Sequence, residues 1–292
     1  MSAAGAPGEE QRALVPPALP EHAHKGDAGR VLCLVGSRLM PGAAVLVARA
    51  AQRAGAGLVC VAAREREVLA ALAVAAPEAV HLDLAAAGSA TFAIGARTDH
   101  ALVLGCGLGV EPARELFAAA CAANRAVPIV LDADALNAVG GEPERLRDWP
   151  GPRVLTPHPG EAARLLGREL GSGADERAAA ARELARRSGG ICCLKGARSV
   201  VSDGTHLYVN DTGNPGMATA GAGDVLAGIL GAYLALCATG AHRAWTPLDA
   251  ACAAVRAHGL AGDLAASHQG RRGLIASDLI AWLPAAQRRR EG

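Results

Sequence analysis

Short apolar runs alternate with longer segments of helical period along most of the chain. Arg30–Val35, Leu58–Ala62, Ala101–Leu104, Val127–Leu131, Arg153–Leu155 and Gly190–Leu194 are apolar over only a few residues, and most are bounded by Gly, Pro or Asp. Such runs predict buried strands. The segments between them predict helices over 41–54, from about 65, from about 112, after Glu161 and over about 175–187. Val200–Ser202 and His206–Val209 flank Asp203-Gly204 and predict a hairpin. Val225–Ala238 is apolar on almost every side, which predicts a helix inside the core. Helices follow over about 247–266, with Thr246 as N-cap and Pro247 in the first turn, and over 277–283. Strand and helix alternation of this kind implies parallel strands joined by right-handed crossovers. The fold class is α/β: a central, mostly parallel sheet with helices on both faces, in a single domain.

Composition narrows the function. Half of the 292 residues are hydrophobic, so a large core can form. The 29 basic and 28 acidic residues leave a net charge of +1, and the basic ones are dispersed. Three Trp, two Tyr and two Phe are too few for a stacking platform, so no nucleic-acid partner is indicated. Residues 1–21 hold several prolines and no signal-type apolar core, and read as a flexible arm. Residues 286–292 read as a solvated basic tail. The longest uncharged helical run falls short of the roughly 20 residues of a membrane span. A cytoplasmic protein without a membrane partner is expected. The eight cysteines contain no C-x-x-C pair, so no metal ligands are assigned and buried free thiols are expected.

The candidate chemistry gathers where strands end, as it does in open α/β sheets. Asn214–Asp224 is a run of small residues and glycines that opens the apolar helix. The N-terminus of that helix offers unpaired N–H groups to an anion. Asp224 at this junction reads either as an N-cap or as a base beside a phosphoryl-binding hole. Gly105-Cys-Gly-Leu-Gly109 is a tight strand-to-helix turn that lets a ligand approach the backbone. Asp132 ends a strand and is placed for substrate or magnesium, whereas Asp134 reads as the cap of the helix after it. His158, pinned between two prolines, is a candidate ligand contact. Lys195, at a strand end before Gly196, suits a nucleotide phosphate or is simply solvent-exposed. The charged helix over about 175–187 reads as a solvated face.

Taken together these motifs resemble the ADP/ATP-dependent NAD(P)H-hydrate dehydratase family, which has a ribokinase-like fold. The resemblance covers residues 22 to 285. It rests on His24–Asp27, Gly36-Ser37 with Pro41–Ala44, Gly105–Gly109, Asp132–Asn137, Thr156–Glu161, Leu194–Gly196, Asn214–Asp224 and His258–Asp263. It implies repair of hydrated NAD(P)H at the expense of a nucleotide phosphate, with Asp224 as base and N–H groups near Ala222 and Gly223 stabilising the transferred phosphoryl group. It implies that Ala43, Gly107, His158 and Asp224 meet the hydrate. Lys195, Gly196, Ala197, Arg198, Ser199 and Gly223 would meet the nucleotide, with Asp132 and Asn137 as further site residues. Mg2+ would accompany ADP, or less favourably ATP. A homo-oligomer is implied, with a tetramer as the candidate. The epimerase domain often fused ahead of this one is missing, so NAD(P)H-hydrate epimerase would be supplied separately. The sequence departs from the family pattern where Gly221-Ala-Gly-Asp224 lacks the usual Ser, and where Arg198 and Ser199 replace Gly and Thr. Two other readings share the motifs: a ribokinase-like kinase of a small vitamin-precursor alcohol, and a nucleotide-binding sensor without turnover.

Overall fold

The computed structural model describes residues 14–288. Most of residues 1–21 and part of the 286–292 tail therefore lie outside the described residues. Nine strands form one sheet in the order β3-β2-β1-β4-β5-β6-β7-β8-β9. They are β1 Arg30–Leu34, β2 Leu58–Ala63, β3 Val80–Asp83, β4 Ala101–Leu104, β5 Ile129–Leu131, β6 Arg153–Leu155, β7 Ile191–Leu194, β8 Val200–Ser202 and β9 Leu207–Val209. The pairs from β3 through β7 are parallel, and β8 and β9 close the edge as an antiparallel hairpin. Asp203 caps that hairpin by accepting from the N–H groups of Thr205 and His206.

Ten α-helices accompany the strands among the described residues: α1 Pro41–Arg53, α2 Arg66–Ala75, α3 Ala90–Gly95, α4 Val110–Ala122, α5 Asp134–Val139, α6 Pro159–Leu166, α7 Ala174–Ser188, α8 Ala222–Ala238, α9 Pro247–Gln269 and α10 Ala276–Ala286. Alternation along each strand divides the core into two layers. Val31 and Cys33 of β1 face a layer built with α1, α2, α8, α9 and α10. Leu32 and Leu34 face a layer built with α3 to α7. The first layer is rich in Ala and Gly, so its backbones approach closely. A Cβ on Gly228 of α8 would lie 2.4 Å from the carbonyl oxygen of Val47, and one on Gly231 would lie 2.5 Å from Val103.

Helix α8 is buried from Val225 to Leu236, as its unbroken apolar character requires. Thr246 caps α9 by accepting from Asp249 N–H, with Pro247 as first helical residue. The short edge strand β3 and helix α3 have no counterpart among the sequence expectations; Val80-His-Leu-Asp83 has no continuous apolar run, and its first two residues are exposed. All eight cysteines are free, with Cys121 and Cys237 only half-buried. No helix of the described residues is long and apolar enough to cross a membrane.

Candidate functional site

Loops at the carboxyl ends of five parallel strands are stitched together by backbone hydrogen bonds. Gly36 N–H donates to Cys106 O at 2.8 Å, Asp132 N–H to Leu104 O at 3.1 Å, Thr156 N–H to Leu131 O at 3.1 Å and Lys195 N–H to Pro157 O at 2.8 Å. The glycine loop after β4 needs its glycines. Gly105 has φ +124°, and a Cβ there would lie 2.0 Å from Asp132 O. Gly107 has φ +65°, and its Cβ would lie 2.8 Å from Ala43 Cβ, so the structure brings these two expected substrate contacts together. Asp134 does not cap α5. The cap position is Ala133, at φ +49°, and Asp134 instead accepts from Gly109 N–H at 2.8 Å, which ties the glycine loop to the end of β5.

The first turn of α8 enters this edge. Its N-cap is Gly221, at φ +85°, where a Cβ would lie 2.5 Å from Leu46. Asp224 is the third helical residue and its side chain makes no capping bond, so the N-cap reading falls. Its carboxylate, Cys106 Sγ and a carboxylate oxygen of Asp132 all lie within 4.8 Å of one another. Burial, reinforced by the charge of Asp132, pushes the Asp224 carboxyl up to about 6, while Cys106 and Lys195 pull the other way.

Asp132 is only 2% exposed and accepts from Thr156 Oγ1 at 2.7 Å and Lys195 Nζ at 2.6 Å. It is therefore an internal partner, not an open contact for an organic substrate. Its second oxygen, Oδ2, accepts from the Cys106 thiol at 3.5 Å. Lys195 is not a solvated lysine: its side chain is 20% exposed, with Glu161 3.9 Å away on the other side. Burial lowers its proton affinity, but Asp132 and Glu161 more than offset this, and the ammonium is retained. A Cβ on Gly223 would lie 3.4 Å from Lys195 Nζ, so this cation sits against the first turn of α8.

Lys195–Ser199, Asn210–Asn214, Ala222, Gly223 and His258 line one cavity of about 470 Å³. Every residue expected to meet the nucleotide is here. Arg198 holds φ +55°, a left-handed conformation that suits glycine, the residue it replaces relative to the family pattern. Arg177 of α7 supports the loop from below, donating to the carbonyls of Lys195 and Ala197. The charged helix is thus not wholly a solvated face.

His158 is the N-cap of α6. Its Nδ1 accepts from Gly160 and Glu161 N–H, while Glu161 accepts from His158 N–H at 2.8 Å. The side chain remains 52% exposed, and Glu161 links it to Lys195. Asn137 turns away to accept from Arg164 at 2.9 Å. Cys106, Thr156, Glu161, His258 and Arg177 were not singled out from the sequence. The first four sit inside motifs whose spacing was visible, and Arg177 carried no local signal.

A profile of the NAD(P)H-hydrate dehydratase family matches residues 31–285. The bifunctional NAD(P)H-hydrate repair enzyme of Moorella thermoacetica is 41% identical over 271 residues, covering 89% of this chain and 49% of the relative. The chain spans about half the length of the curated relatives of that bifunctional type that it matches. The ADP-dependent (S)-NAD(P)H-hydrate dehydratase of Neisseria meningitidis is 38% identical, covering 91% of this chain and 86% of the relative. The crystal structure of the ADP/ATP-dependent NAD(P)H-hydrate dehydratase of Bacillus subtilis, co-crystallised with ATP and Mg2+, superposes with a TM-score of 0.80 at 28% identity, covering 95% of each chain. The expected ribokinase-like architecture is shared with solved members of that superfamily.

Proposed function

The chain belongs to the NAD(P)H-hydrate dehydratase family, and we propose that it restores NAD(P)H from its hydrated (S)-form at the expense of ADP, or less readily ATP. The observation that carries this reading is the position of Asp224, a half-buried carboxylate with its pKa raised to about 6, one residue after Gly223 in the wall of the nucleotide cavity. A base poised near neutrality is suited to take a proton from a ring hydroxyl. The hydroxyl oxygen then attacks the terminal phosphorus, breaking its bond to the nucleotide and releasing AMP from ADP. The ring carbon–oxygen bond breaks next, the neighbouring ring carbon gives up a proton, inorganic phosphate leaves, and the ring double bond of the dihydronicotinamide is restored. Gly223 N–H and Lys195 face the charge that builds on the phosphoryl group.

The hydrate would lie on the Ala43 and Gly107 side, near His158, opposite the nucleotide cavity across the first turn of α8. A hard cation fits the carboxylate oxygens of Asp132 and Asp224, which lie within 4.8 Å of one another, but not the Cys106 thiol beside them. Magnesium, when bound there with the nucleotide, would neutralise phosphate charge.

The test is near-ultraviolet absorbance of chemically hydrated NADH with Mg2+ and either ADP or ATP. Growth of the dihydronicotinamide band only when a nucleotide is present is the expected result, faster with ADP. Nucleotide binding without any band would overturn the reading in favour of a small-alcohol kinase.

A further inference from the structure

We propose that His258 is a positioning residue for phosphoryl transfer, holding the first turn of α8 in the shape that presents Gly223 N–H to the transferred phosphate. The inference rests on the nucleotide reading above and extends it to a residue outside the set expected to touch either substrate.

The first turn of α8 is Gly221-Ala222-Gly223, a sequence poor at holding its own shape. Gly221 stands at φ +85°, and glycine at the second helical position adds backbone freedom. Helix ends also fray, because their first N–H groups have no partner within the helix. An anion hole works only if its donors are already in place when charge develops. Some contact outside the helix has to supply that order.

His258 supplies it. It lies on α9, lines the nucleotide cavity, and its Nε2 is 2.9 Å from the carbonyl oxygen of Ala222. A carbonyl only accepts, so Nε2 carries the proton in this contact. The Ala222 carbonyl belongs to the same planar peptide unit as Gly223 N–H, with the two pointing in opposite directions. Fixing the oxygen on the His258 side therefore aims the N–H away from it. Burial, with a further contribution from the charge of Lys195, lowers the imidazole to about 4, so the contact is that of a neutral ring near pH 7.

The histidine is in turn held by close packing. A Cβ on the adjacent Gly259 would lie 2.2 Å from Thr212 Oγ1, and that hydroxyl donates to Arg256 O at 3.1 Å. Asp263, one turn further along α9, accepts from Gly213 N–H and Asn214 Nδ2 at 2.8 and 2.9 Å. Helix α9 is thus clamped to the 210–214 segment of the cavity wall, and the imidazole reaches α8 from a fixed base.

Two variants test the assignment. His258→Met keeps the volume and removes the donor, while His258→Gln keeps an N–H near the Nε2 position. The expected result is a fall in kcat of about tenfold to a hundredfold in Met, with the nucleotide KM changed less than threefold, and recovery to within about threefold of wild type in Gln. Equal kcat in Met and Gln, or a loss confined to KM, would overturn the proposal. The crystal structure of each folded variant, solved without substrate, is the second readout. A displaced first turn of α8 in Met that is restored in Gln supports the role, and an unchanged turn in Met refutes it. This second readout stands even if wild type fails to dehydrate the NADH hydrate, so the two readings fail separately.

Discussion

Helix α8 contains two regions with opposite requirements. From Val225 to Leu236 it is buried on all sides, and its glycines exist so that other backbones can press against it. In its first turn the glycines bend the chain and bare N–H groups, and Asp224 is kept in a setting that disfavours its charge. The body of the helix is built for stability. The turn is built for reactivity at some cost to stability, and the body is what makes that cost tolerable.

The largest expected effect breaks the turn alone. Asp224→Asn should lower turnover of the NADH hydrate by at least about a thousandfold, because the amide cannot accept the proton. ADP affinity by calorimetry should stay within a few fold. The folded pKa lies above the ordinary carboxylate value, so ionisation of Asp224 costs stability as pH rises toward and through about 6. Asn removes that cost, and at pH 7 the variant should melt no lower than wild type. A lower melting temperature would mean that the carboxylate supports the fold.

The converse variant strikes the body. Gly228→Ala would place a Cβ 2.4 Å from Val47 O and 2.7 Å from Ala50 Cβ, so α1 and α8 must move apart. Denaturant unfolding should show a loss of about 1–3 kcal/mol, with kcat of the folded protein close to wild type. A large fall in kcat at unchanged stability would contradict the division between body and turn.

Lys195→Ala sharpens the comparison at smaller scale. Loss of the cation should raise the nucleotide KM by about tenfold and lower kcat less. The wild-type rate should fall as pH drops through about 6, where Asp224 takes up a proton. Lys195 favours the ionised form, so removing it should move this acidic limb upward. A limb that moved down, or stayed in place, would detach Lys195 from the base.

Much of this division was legible in the sequence, and for physical reasons. The apolar period of Val225–Ala238 reported burial directly, because a helix without a polar side has no surface to show water. The strand ends were marked by glycine, proline and aspartate, and they placed Asp132, His158 and Lys195 on one edge. What the side chains do there was less legible. Asp132 and Asp134 are two residues apart, yet one turns inward to Lys195 and the other ties down Gly109. His158 combines a half-exposed ring with a capping bond, which no spacing rule separates from a ligand role. Arg177 and His258 act across 18 and 36 residues of sequence, and only tertiary packing brings them to their carbonyls.

The order in which the core is completed has a kinetic consequence. Strand β1 lies inside the sheet, and the layer over it is closed by α8, α9 and α10, from the last quarter of the chain. Gln287 donates to Arg53 O across 234 residues, and Gly29 packs against Ala235. The N-terminal third cannot bury its own apolar face until the final helices exist. Closing contacts this distant in sequence slows folding and leaves collapsed intermediates with exposed apolar surface. During synthesis, the alanine-rich face of α1 therefore stays uncovered until α8, α9 and α10 have been made, and the partly made chain exposes apolar surface for that interval.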